Sequence, residues 1–253
     1  MFLPTLAAAA TISILLMYAF DAVLVESDGI SHGYKNRLAA AAITNVKQEL
    51  ESVVRDNAHW AEAVRHSDED RDPSWFAQTW GLGYGEEIYD AVFLVGEHGE
   101  TLYASQTNDP FNVLNLHYNA YFSPDIQLLL EALPQDRAKF KYVSGIMRAG
   151  DGVATVTAAV ISSNLVEQGP HTGRPKVLIF ARMLGPKLLS DVSHKLGLDG
   201  LQIVRGQAAT DGIMLLSPGG DPVAALSWDR LRTGSLLKAK FADMIWFVLS
   251  LFH

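Results

Sequence analysis

Between residues 35 and 66 the apolar positions Ala39, Ile43, Val46, Leu50, Val53, Trp60 and Val64, with Asn57 among them, recur at steps of four and three, and neither Pro nor Gly interrupts them. A repeat of seven sustained over three and a half heptads fixes one apolar seam along a helix, because a residue returns to the same face every 3.5 to 3.6 positions. Such a helix is roughly 45 Å long at 1.5 Å per residue. It must bury that seam against a second copy or against its own domain, because its stability comes from packing more than from propensity. Asn57 is the polar member of the seam. A buried amide needs a partner, so it either sets the register or reaches a ligand.

Composition narrows the class. The 253 residues carry 20 Lys+Arg against 28 Asp+Glu, a formal net charge of −8, and no cysteine. An acidic balance is wrong for neutralising phosphates, so no nucleic-acid partner is expected. Without cysteine there is no disulfide framework, no Cys-ligated zinc and no thiol catalysis. A hydrophobic share of 49% excludes a disordered chain.

Both ends are apolar. Residues 2–20 (FLPTLAAAATISILLMYAF) hold no charge, and as a helix they would be about 28 Å long, close to bilayer thickness. They are expected to form a membrane span over 1–25 and not a cleaved signal peptide, because Met1-Phe2-Leu3-Pro4 lacks a basic n-region. Met244–Phe252 (MIWFVLSLF) is too short to cross a bilayer. It reads as the start of a second span over 241–253, or as a helix docked on the domain. Two spans would place 26–66 as a stalk and 67–235 as a sensor head outside the cytoplasm, held at the inner membrane.

Between the ends the pattern alternates. Pro73 opens a short amphipathic helix, PSWFAQTW, followed by glycines at 81, 83 and 85. Ala91–Val95, a turn at Glu97–Glu100 and Thr101–Ser105 form a hairpin signal. Ser123-Pro124-Asp125 precedes the helical IQLLLEAL. Phe140–Met147 and Val153–Ser162 flank a Gly-rich turn as a second hairpin. Val177–Leu184 is a buried strand, and Pro186 to Leu196 is a helix stopped by Gly197. Residues 197–235 add short membrane-proximal strands. The expected fold class is therefore α+β: an N-terminal transmembrane helix, a stalk helix, a PAS-like or Cache-like antiparallel sheet with flanking helices, and the start of a second transmembrane helix.

Several of these segments resemble an extracytoplasmic sensor family, the fourth class of CHASE domains. Asp56-Asn57-Ala58-His59-Trp60 is similar to the family's D-x-A-x-W, although Ala61 stands where an acidic residue often follows the Trp. Tyr89–Val95 with Gly99–Tyr103, Val143–Ile146 with Asp151-Gly152, Phe180–Leu184 and Ser227-Trp228 resemble its later strands. The resemblance covers most of 37–235. It implies the input module of a membrane signalling protein, with a cyclic-di-GMP synthase or phosphodiesterase (GGDEF or EAL) or a histidine kinase as output, working as a homodimer. No output motif stands in this chain.

The chain's own chemistry points to binding. There is no H-E-x-x-H, G-x-S-x-G or Walker A motif, and His59 and His66 stand two helical turns apart, too far for one zinc by themselves. No catalytic residue, metal ligand or cofactor is therefore expected. Trp60, Trp75, Phe76, Trp80, Tyr84 and Tyr89 cluster around the passage from helix to sheet, either as core or as the apolar walls of a cage for an unidentified small molecule. Asn57, His59, Tyr103, Ser144 and Arg148 would supply its polar contacts. Arg182, on an apolar strand, either pairs with an acid in the core or holds an anionic ligand, and the pairing is the expectation. A scaffold without a ligand and an extracytoplasmic hydrolase are the competing readings.

Overall fold

The structure, a computed structural model, describes residues 3–70, 72–81, 88–107, 116–136, 139–163, 174–204 and 212–229, with the backbone alone for 3–14, 16, 69 and 70. The chain forms two compact units, one of Met1–Ala39 with Asp229–His253 and one of Ala40–Trp228. Helix α1 (Leu3–Ala58) belongs to the first unit up to Ala39 and to the second from Ala40.

The expected N-terminal membrane span is overturned. Among the described residues no helix is long and apolar enough to cross a membrane. The run 2–20 is not a helix of its own: α1 continues without a break through Asp21, Glu26, Asp28, Lys35 and Arg37. The start of a second transmembrane helix, expected at 241–253, lies outside the described residues.

The second unit is built around a five-stranded antiparallel sheet. Its strands are β1 (Ala91–Val95), β2 (Thr101–Gln106), β3 (Tyr142–Ala149), β4 (Gly152–Val160) and β5 (Val177–Met183), in the order β2-β1-β5-β4-β3. The sheet and its flanking helices are those expected from the alternation. Two-residue hairpin chemistry closes β3 onto β4, with Gly150 at φ 50° between the paired Ala149 and Gly152. Strand β1 is buried at all five positions because both faces of the sheet are covered.

On one face Phe93, Val156 and Ile179 pack under α4 (Tyr118–Tyr121) and α5 (Ile126–Glu131). On the other, Val92, Leu94, Leu178 and Phe180 pack under the end of α1, α2 (Ala61–Arg65) and α3 (Pro73–Trp80). Helix α3 starts where the sequence demands: Pro73 takes the first turn, and the Asp72 carboxylate accepts a hydrogen bond from Ser74 N at 2.8 Å.

The seam of α1 departs from strict heptads. Ala39, Ile43, Val46 and Leu50 are buried as the spacing predicts, but the buried row then runs through Val54 and Ala58 instead of Val53 and Asn57. A straight helix of 3.6 residues per turn drifts against a repeat of 3.5, and packing on the chain's own sheet follows the straight helix. The predicted unbroken helix also ends early. Trp60 is extended at φ −145°, ψ 136°, and α2 starts anew at Ala61. A turn of π-helix (His66–Asp70) follows.

A smaller sheet in the order β6-β8-β7 completes the unit, from β6 (Gln202–Val204), β7 (Gly212–Leu216) and β8 (Pro222–Ser227). Helix α6 (Pro186–Leu196) leads into it and is stopped by Gly197 at φ 62°.

Candidate functional site

The end of α1 is bound to the sheet by apolar burial and by two polar links. Leu50, Val54 and Ala58 are solvent-free against the strands. Glu51, one position beyond Leu50, turns its carboxylate to β3. The Ser144 hydroxyl donates to Glu51 Oε1 at 2.6 Å and accepts from Thr157 Oγ1 of β4 at 3.1 Å. Lys47, one turn earlier, stands 3.7 Å from the same carboxylate oxygen. At the helix end, His59 Nδ1 shares a hydrogen bond of 3.0 Å with the Ser162 hydroxyl, and Ser162 N donates to Ala58 O at 3.1 Å.

Beyond the break an aromatic train runs along the sheet's β2 side. Trp60, 40% exposed, lies 5.6 Å from Trp75, ring centre to ring centre. Trp75 stacks on His66 at 4.3 Å and meets Trp80 edge-on at 5.2 Å. Trp80 is parallel to Phe76 at 5.4 Å, and Phe76 reaches Tyr103 at 5.7 Å. The inner members, Phe76, Trp80 and Tyr103, are buried, so the interior of the train is filled by its own rings. Tyr89 closes it, donating to Trp80 O at 3.1 Å and stacking on Phe180 at 4.1 Å. Burial, helped by the nearby Tyr103, pushes the Tyr89 phenol up to about 12. Burial also raises the Tyr103 phenol, against the lowering effect of Ser105.

The residues singled out from sequence fall into separate groups. Trp60, Trp75, Trp80 and Tyr103 come together. Asn57 bonds within its own helix, Nδ2 donating to Val53 O at 2.8 Å. His59 faces Ser162 and Phe140, 4.6 Å from the latter's ring. Ser144 and exposed Arg148 are on β3, the opposite edge from the β2 residue Tyr103. Four strand spacings separate those edges, about 19 Å at 4.8 Å each. Tyr84 lies outside the described residues.

Sequence reasoning missed three functional groupings. Glu51 follows Leu50 of the seam by one position, and nothing in the spacing of the seam singles it out. Thr155 and Thr157 interrupt the apolar β4 at alternate positions, a pattern that puts both hydroxyls on one face. Lys176 abuts a buried strand: it is 2% exposed and pairs with Asp68 of the π-helical turn and, at 3.9 Å, with Glu97. A lone lysine beside VLIF signals such a buried pair. Arg182 does pair with an acid, standing 3.6 Å from Asp90, whose Oδ2 also accepts from Met183 N.

The sheet, its two helical covers and the docked α1 are matched by a family model. The CHASE4 domain model matches residues 42–204. The chain belongs to the CHASE4 domain family. It is thus a sensory input domain of the kind that works outside the cytoplasm. The matched span starts at Ala42 of α1, just before Ile43, and ends at Val204 of β6, so it takes in the polar links and the aromatic train together. Among solved structures, the periplasmic domain of LuxQ from Vibrio cholerae is similar at 11% identity and a TM-score of 0.39, covering 80% of this chain and 100% of that one. A likeness of that size carries no argument. No curated protein matches the chain. In this CHASE4 domain a space of about 50 Å³ between Gly99, Tyr118 and Leu133, on the other face of the sheet, has room for a water and not for an organic ligand.

Proposed function

We propose that this domain is the input module of a homodimeric signalling protein whose output is cyclic-di-GMP synthesis or hydrolysis, and that α1 carries the signal. The observation supporting this reading is the hydrogen-bond chain from Glu51 through Ser144 to Thr157. It joins one turn of α1 to two strands, so a change in the packing of the sheet changes the energy of the helix position. Coupling of about 1–3 kcal/mol between stimulus and helix arrangement is enough for a switch.

The stimulus side of the proposal is the break at His59–Trp60. Trp60 and Trp75 are the partly exposed rings of the train, and His59 and Asn57 adjoin them in the chain. A small molecule held there bears on the helix end directly, and Trp80 and Tyr103 relay its packing to the sheet. The test is a chimera in which this chain precedes a diguanylate cyclase domain. Glu51→Ala and Trp60→Ala are each expected to change cyclic-di-GMP output at unchanged protein level. Output indifferent to both refutes α1 as the carrier.

A further inference from the structure

A second concave site lies within the unit Ala40–Trp228, away from the aromatic train. It is a half-open cleft of about 640 Å³ between the β3–β4 turn, the end of β5, α6 and the start of β6. Its volume is in the range of about 300–1,000 Å³ used by small-molecule sites. Met183, Leu189 and Ile203 give it apolar walls from three different elements. Ser190 of α6 and Gln202 of β6 add neutral hydrogen-bonding groups.

The charge of the cleft is one-sided. Its lining contains one ionisable side chain, Asp151, and no Lys or Arg. Among the described residues Asp151 makes no hydrogen bond or ion pair, whereas the basic residue nearest the cleft on β5, Arg182, is engaged by Asp90. An unpaired carboxylate at the mouth of an apolar cleft is complementary to a cation with an apolar body, and repels an anion of the same shape.

We infer that this cleft binds a small organic cation, a protonated amine carried on an apolar group. The amine pairs with Asp151, and the apolar body lies between Met183, Leu189 and Ile203. Because the walls belong to both sheets and to α6, an occupant ties the smaller sheet to the larger one. The site is separate from the break at His59–Trp60, and the inference stands whether or not α1 carries a signal.

Gly185 provides a clean way to block the cleft. It lines the space, its φ is −85°, and a Cβ built on it meets nothing within 4 Å. Gly185→Phe therefore adds a ring at the cleft's lining without backbone strain. The experiment is calorimetric titration of the full chain with 2-phenylethylamine, its neutral analogue 2-phenylethanol and the anionic 3-phenylpropanoate, each to millimolar concentration. The amine is expected to bind most tightly and the anion most weakly. Asp151→Asn should weaken the amine about fivefold, the size of a solvent-exposed ion pair, and leave the alcohol unchanged. Gly185→Phe should abolish binding with native circular dichroism. Should that variant fail to fold, Ser190→Trp, at an exposed position of α6 lining the same space, replaces it. Absence of amine binding, equal affinity for amine and anion, or amine binding that survives the filled cleft each overturns the inference.

Discussion

Breaking the Glu51–Ser144–Thr157 chain should loosen α1 by an amount that can be worked out beforehand. The Ser144 hydroxyl reaches Glu51 at 2.6 Å, the short distance of a hydrogen bond to a charged acceptor. Such bonds contribute about 1.5–3 kcal/mol, and the neutral Thr157–Ser144 bond contributes about 1 kcal/mol. The Glu51 side chain is 19% exposed and Lys47 stands 3.7 Å away, so the carboxylate left by Ser144→Ala keeps a partner and some water. The expected cost of Ser144→Ala is therefore about 2.5 kcal/mol, at the lower end of the sum. Glu51→Ala should cost about 1.5 kcal/mol, the low end for the charged bond alone, because Ser144 keeps its bond from Thr157. In a double-mutant cycle the two should couple by about 1–1.5 kcal/mol, well beyond the few tenths seen for independent sites. Urea unfolding measures this. With a slope of about 2 kcal/mol/M, Ser144→Ala lowers the midpoint by about 1 M at unchanged slope. Additive single-mutant costs would refute the idea that this chain fastens α1 to the sheet.

Other perturbations test the packing. Trp80 is fully buried and its Nε1 has no hydrogen-bond partner among the described residues. Trp80→Ala should cost about 3–5 kcal/mol, whereas Trp80→Phe removes the orphan donor and should cost less than about 1.5 kcal/mol; equal midpoint shifts in urea would contradict this. At Gly145 an added Cβ would lie 2.6 Å from Pro218 Cγ, so Gly145→Ala should lower the melting temperature by the equivalent of about 1–3 kcal/mol, and Pro218→Ala should restore it. Tyr89 ionises at about 12 in the fold against 10.0 for the free phenol, so the unfolded chain releases that proton first. Stability is intact below pH 10 and falls as pH rises from 10 to 12, by up to about 2 kcal/mol. Tyr89→Phe should flatten that decline in a series of urea titrations across the alkaline range.

Local signals carried much of the architecture. The hairpins Ala91–Gln106 and Tyr142–Val160 were visible as alternating or apolar runs around glycine turns, and Pro186 and Gly197 marked both ends of α6. The order β2-β1-β5-β4-β3 was not visible as a pairing map, because strand neighbours distant in sequence leave no periodic trace. Nothing local announces the break at Trp60 either, for no Pro or Gly stands there. The uncharged run 2–20 misled because lack of charge in one window does not end a helix, and α1 carries on through charged residues. The aromatic residues near the break were legible as a cluster. Their solvent-free interior was not, since composition alone does not distinguish a cage from a core.

The register of the central strands bears on how the chain folds. Ala91 lies opposite Ala181 and Val95 opposite Val177, so β1 finds its inner neighbour only after nearly all of the sheet's sequence is present. The β3–β4 hairpin, closed by the turn at Gly150, pays little loop entropy and can form early. The middle of the sheet is thus zipped last, and a growing chain carries Val92 and Leu94 on an unfinished edge until β5 arrives. Such an edge is open to pairing with other chains during synthesis, a hazard that the finished fold removes by placing β1 between β2 and β5.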